Sequence, residues 1–250
     1  MSSRVDNIRL KIERAKKHIN DLQIEINAFL NTKPYVISTK QNPQTRQLIY
    51  YISSVKDVPS QVALIAGDCL QNIRSALDHL AWQLVESNGQ KPTTSTCFPI
   101  HDDAAKYKSR YMGQVRGMSN AAINAINAIK PYKGGNDVLW KIHKLNNVDK
   151  HRLLITVGSA FGSLDLGAHL IREMAEKFPD LAIPDLHVFF RPADRLFPLG
   201  AGNELFIDAP DAKVNEKLQF RFEVAFRELQ VIEGDRLLKR STNFLKSLIT

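Results

Sequence analysis

The chain has 250 residues, 44% hydrophobic and 24% charged, the balance of a globular protein that can bury a sizeable core without staples. This excludes disulfide scaffolds, collagen-like chains and wholesale disorder, and no apolar run approaches the length needed to span a bilayer. The formal net charge is +8, and the basic surplus lies in residues 1–57 and 91–152. Such a distribution suits a polyanion such as RNA, or equally an ordinary basic surface.

Residues 4–31 are expected to form one long helix. Val5, Ile8, Ile12, Ala15, Ile19, Leu22, Ile26 and Phe29 recur in steps of three and four, a heptad seam that could also pair with a second copy in a homodimer. Ser2 or Ser3 can cap its start and Pro34 ends it. Tyr35–Thr39 and Arg46–Val55 are rich in Tyr, Ile, Val and Thr and flank Gln41-Asn42-Pro43-Gln44, which predicts a β-hairpin. A second helix is expected over 59–87, with Ala63, Ala66, Leu70, Ile73, Leu77, Leu80 and Leu84 as its seam. The two long helices are expected to bury each other.

Gly89 and Pro92 break that helix. Thr96–Ile100 reads as extended, and 104–110, 119–130 and 137–149 as helices, the last burying Val138, Ile142, Leu145 and Val148. Beyond His151 the pattern favours strands at 153–157, 187–190, 204–207 and 218–226, with helices over 164–177 and 232–248. The expected fold is α+β: two long packed helices with an inserted β-hairpin, further helices, and a C-terminal antiparallel sheet with a terminal helix. A single domain spanning 1–250 is expected, mainly helical over 1–150 and sheet-containing over 151–250.

The second helix carries a polar stripe opposite its seam, made of Asp68, Asn72, Ser75, His79, Gln83 and Glu86, with Arg74 and Asp78 at its edge and four apart. One reading is a solvated face; short polar groups also suit a lined cleft or a packed polar interface. Asp149-Lys150-His151-Arg152 follows the helix over 137–149, where charged groups on a loop can serve a site or tie down a helix end. A metal set of His79, His143, His151 and Asp149 has no recognised ligand spacing, so neither metal nor cofactor is expected. Lys106, Lys108, Arg110 and Arg116 interleave with Tyr107 and Tyr111, which fits either a single-strand RNA surface or an amphipathic helix with half-buried tyrosines.

Arg74-Ser75-Ala76-Leu77-Asp78-His79 has an Arg–x4–His spacing that resembles the HEPN superfamily of nucleic-acid-binding helical modules. The resemblance implies a metal-independent endoribonuclease in a toxin or defence context, acting as a homodimer. Arg74 and His79 would then be catalytic, and Asn72, Asp78, Lys150 and His151 would bind RNA. Ser75 departs from the polar Asn, Asp or His common after that arginine. Gly67-Asp68, the run from Asn72 to Trp82, Phe98-Pro99-Ile100, Leu139-Trp140 and the run from Asn147 to Arg152 also resemble a widespread bacterial family of unknown function, over roughly 35–160. That likeness implies an architecture and carries no activity. The alternative to the nuclease is a non-enzymatic scaffold or interaction protein whose polar stripe is a structural hydrogen-bond network. Cys69 and Cys97, in no close-spaced motif, and a polar N-terminus lead to the expectation of a cytoplasmic protein with no membrane partner.

Overall fold

The computed structural model describes residues 5–154, 156–161, 164–165, 189–190, 199–214 and 221–226. The chain divides into two compact units. One holds Met1–Glu25, Ser60–Ile155 and Phe226–Thr250; the other holds Ile26–Pro59 and Thr156–Ala225. Among the described residues, five helices and antiparallel strand pairing make the fold α+β. Helix α1 (Asp6–Asn31) runs from the first unit into the second. Its seam is buried from Ala15 onward, whereas Val5 and Ile12 are exposed.

In the first unit, α2 (Ser60–Ser87) is the longest helix. It is followed by α3 (Ala104–Gln114), α4 (Asn120–Ile129) and α5 (Asp137–Asp149). The three shorter helices start where side chains can accept from free N–H groups of the first turn. Asp103 accepts from Lys106 N, Ser119 from Ala122 N and Asn136 from Leu139 N. Thr96–Ile100 forms no strand; it is an irregular segment whose Phe98, Pro99 and Ile100 are buried.

The buried positions of α2 are Val62, Ala63, Ala66, Gly67, Cys69, Leu70, Arg74, Ala76, Ala81 and Val85. The predicted seam members Ile73, Leu77, Leu80 and Leu84 are half-buried. The departure has a physical reason: α2 has neighbours on several sides, so no single stripe describes its burial. Cys69 reaches the Ala15 carbonyl of α1 at 3.6 Å. Ala81 and Val85 join Phe98, Ile100, Val115, Met118, Ile126 and Trp140 in one apolar cluster. Among the described residues, the helix pair in most extensive contact is α2 with α5, not α2 with α1. On α5 the buried residues are Trp140, Ile142, Leu145 and Asn146, and the predicted Val138 is exposed.

Gly67 explains how α2 and α5 come so close. A Cβ at that position would lie 2.6 Å from the Asp149 carboxyl carbon, far inside van der Waals contact. Only glycine leaves room for the carboxylate there.

In the second unit, β1 (Tyr35–Gln41) and β2 (Gln47–Val55) form the expected antiparallel hairpin, with a register shift at Val36/Ile37. Asn42 Oδ1 closes its turn by accepting from Gln44 N and Thr45 N. The free edge of β2 pairs antiparallel with β6 (Glu204–Pro210), giving the order β1-β2-β6. The hairpin thus shares a sheet with a strand from beyond residue 150, which the sequence-based division had kept apart from it. Lys40–Glu204 and Arg46–Asp211 ion pairs at 2.8 and 2.7 Å flank this sheet.

The remaining strands are β3 (Thr156–Phe161) with β7 (Arg221–Phe226), and β4 (Leu164–Asp165) with β5 (Phe189–Phe190). Of the strands expected beyond His151, 156–157, 189–190, 204–207 and 221–226 are strand, whereas Leu153 and Leu154 are not and 155, 187–188 and 218–220 lie outside the described residues; β6 joins the hairpin sheet and the others pair in two-stranded ladders. Leu164–Asp165 is strand and not the start of a helix. The rest of the expected helix over 164–177 and all of that over 232–248 lie outside the described residues.

Candidate functional site

Among the candidate residues of the first unit, Arg74 and Asp78 meet at the middle of α2, against the Phe98 segment. Arg74 is 7% exposed. One turn separates it from Asp78, so the two side chains meet on one helix face. The contact is bidentate: Nε donates to Asp78 Oδ2 at 3.2 Å and Nη2 to Oδ1 at 2.6 Å. Nη2 also donates to the Phe98 carbonyl at 2.9 Å, and Phe98 N donates to Asp78 Oδ1 at 3.0 Å. Both backbone polar groups of Phe98, its N–H and its carbonyl, are therefore gripped by one ion pair. Planar guanidinium geometry suits such a two-sided clamp.

His79, the next residue on α2, is exposed. Asn72 donates to the Asp68 carbonyl of its own helix at 2.8 Å. Further along, Trp82 Nε1 and Gln83 Nε2 both donate to the Glu86 carboxylate, at 3.2 and 2.9 Å. Asp68 is exposed, Ser75 half-buried.

From α5, His143 approaches the same region. Burial, then the Arg74 charge, holds its pKa down at about 4, with Lys150 and His101 adding to the effect and Asp102 opposing it. Asn147 Nδ2 meets His143 Nε2 at 3.0 Å. An amide nitrogen can only donate, so Nε2 accepts and the neutral ring carries its proton on Nδ1. Asp149, packed on Gly67, has its pKa raised by burial and by nearby Asp68. Asp102 is held at about 2, chiefly by the Lys106 hydrogen bond and also by Trp140 and Lys144.

The structure brings Arg74 and Asp78 together and sets His143 beside them. It does not bring His79 to His151. Gly67 lies against Asp149, and His79 is twelve residues further along α2, about 18 Å at the helical rise. His151, turned back to the Val148 carbonyl, stays at the Gly67 level and is exposed, as is Lys150. Sequence reasoning placed His143 in a metal set with His79, His151 and Asp149 and did not anticipate the influence of the Arg74 charge on it. It missed the His101–Gln114–Cys97 chain, linked at 2.7 and 3.2 Å. No local pattern signals contacts between residues so far apart in sequence.

The tyrosines of α3 are packing groups. Tyr107 is buried, donates to Asn127 Oδ1 at 2.7 Å and stacks on Tyr111 with centroids 4.9 Å apart. Burial pushes its hydroxyl up to about 12. Its face is occupied by protein, so it offers no stacking platform for a base. Cys69 and Cys97 are free thiols; burial raises both, Cys69 to about 12. Among the described residues, no three His, Cys, Asp or Glu side chains are grouped to hold a metal, and no helix is long and apolar enough to cross a membrane. No family model, curated protein or solved structure matches the chain, so a functional reading rests on its own geometry.

Proposed function

We propose that the chain is a non-enzymatic, cytoplasmic interaction protein in which Arg74 and Asp78 are architecture. One observation carries this reading: the Arg74 guanidinium is buried and already engaged by Asp78 and the Phe98 carbonyl. A phosphate-binding arginine in a nuclease must reach a developing charge on its substrate. Here Nε and Nη2 are committed to the protein's own groups. The exposed end of the ridge, His79 and Trp82, is the surface left for a partner. The test is a ribonuclease assay on the purified full chain, with and without EDTA, alongside Arg74→Ala and His79→Ala. The expected result is no cleavage by any form, a large loss of stability for Arg74→Ala and little for His79→Ala.

The second reading is the HEPN-like, metal-independent endoribonuclease, acting on RNA as a homodimer. It is favoured by the exposure of His79 five residues beyond Arg74 and by the basic surplus. EDTA-resistant RNA cleavage that His79→Ala abolishes would establish it and overturn the first reading.

A further inference from the structure

Lysines from three parts of the first unit gather around one carboxylate and one indole. Asp102, just before α3, accepts from Lys106 Nζ at 3.0 Å. Lys144 Nζ on α5 stands 3.6 Å from the other oxygen of that carboxylate, and Trp140 Nε1 donates to the same oxygen at 3.4 Å. From the loop between α4 and α5, Lys133 Nζ lies 4.8 Å from the centroid of the Trp140 ring. Arg110 is four residues beyond Lys106 on α3, hence on the same helix face. The charges do not balance. One carboxylate serves two ammonium groups, and at 3.6 Å Lys144 is outside hydrogen-bond range, so its donors are left to water. Asp103 caps α3 by accepting from Lys106 N, and its other oxygen is 4.0 Å from Lys106 Nζ. Lys133 and Arg110 are exposed and form no ion pair among the described residues.

We propose that Lys106, Arg110, Lys133 and Lys144 form a docking surface for a carboxylate-rich polypeptide segment. The arrangement around Asp102 is that of a carboxylate held between two ammonium groups, and the donors left over are of the same kind. Nucleic acid fits this surface less well. Its bases would find no aromatic face, since Trp140 is 5% exposed with Lys133 over its ring, and Tyr107 is stacked on Tyr111. A duplex is a stiff rod of regularly spaced phosphates, which Asp102 and Asp103 repel from the midst of the lysines. A flexible acidic segment sets its carboxylates on the lysines and passes those aspartates by. The inference goes beyond the interaction reading, because it assigns a chemistry of partner to a surface that does not use His79 or Trp82.

Isothermal titration of the full chain with a synthetic oligoglutamate peptide, with oligoglutamine, and with single-stranded and duplex RNA at one salt concentration tests the proposal. Oligoglutamate is expected to bind saturably and to weaken as salt is raised, and oligoglutamine not to bind. The double variant Lys133→Gln/Lys144→Gln is expected to weaken oligoglutamate binding about three- to tenfold, the range for two exposed ion pairs. Lys16→Gln/Lys17→Gln removes the same charge from exposed positions of α1 and is expected to leave the affinity unchanged. Both variants alter exposed side chains, so the helical circular dichroism spectrum should persist; Arg110→Gln/Lys144→Gln serves if the first does not fold. Absence of saturable oligoglutamate binding overturns the surface. A loss in the folded patch variant no greater than in the α1 variant overturns it as well, by reducing the effect to net charge. Tighter binding of either RNA than of oligoglutamate overturns the acidic partner and makes the patch a nucleic-acid surface.

Discussion

Replacing Asp78 by alanine isolates the clamp. The change removes both carboxylate contacts of Arg74, at 2.6 and 3.2 Å, together with the acceptor of Phe98 N. It leaves a guanidinium whose side chain is 9% exposed facing the Phe98 carbonyl and the Cys97 thiol, neither of which carries the charge that it loses. Breaking a fully buried pair by removing one partner costs about 3–5 kcal/mol. Asp78 is not fully buried, its side chain being 37% exposed, so water can reach the vacated position and the electrostatic loss falls to about 2 kcal/mol. The orphaned Phe98 amide adds about 1 kcal/mol.

The total, about 3 kcal/mol, corresponds to a fall in Tm of roughly 6–12 °C for a chain of this size. The assay is urea unfolding followed by tryptophan fluorescence. The chain's two tryptophans, Trp82 and Trp140, both lie in the unit that holds the clamp, so the signal reports that unit. A double-mutant cycle with Arg74→Met should show a coupling near 2 kcal/mol, as expected of groups in direct contact. A loss below about 0.5 kcal/mol for Asp78→Ala, the range of ordinary surface changes, would refute the claim that this pair holds the Phe98 segment.

Gly67→Ala inserts a methyl group into the Asp149 carboxyl and should cost about 1–3 kcal/mol by overpacking, read from the same urea curves; unchanged stability would show that α5 can move away freely. His143 is held neutral, its folded pKa lying below the unfolded 6.5 at about 4. The unfolded state therefore takes up the proton first, so this residue's contribution is whole above pH 6.5 and declines as pH falls toward 4. Urea midpoints measured across that window should fall with pH in the wild type and fall less in His143→Leu, and parallel slopes would contradict the assignment. Tyr107→Phe deletes the hydroxyl that donates to Asn127 and should cost about 1 kcal/mol. The same variant should leave any salt-dependent retention on RNA unchanged, whereas a selective loss of RNA binding would make that ring a nucleic-acid contact.

Much of the helical layout was legible in the residues themselves. The steps of three and four along α1 and α2 and the turn residues between β1 and β2 are local signals, and local signals specify local structure. The i,i+4 placement of Arg74 and Asp78 was equally visible, because a helix alone brings them together. Which face of α2 is buried was not, since that depends on the partners around it: α1 at Cys69, α5 at Gly67 and the Phe98 segment at Arg74.

The same reason separates the two candidate histidine roles. A spacing pattern weights His79 and His151 alike with His143. Only the approach of α5 to α2 leaves the first two exposed at different levels and half-buries the third within the field of the Arg74 charge. Sequence periodicity determined the elements and the pairings within one helix. Tertiary contact alone decided which polar atoms lost their water, because desolvation is a property of the neighbours that surround a group and not of the residue's own position in the chain.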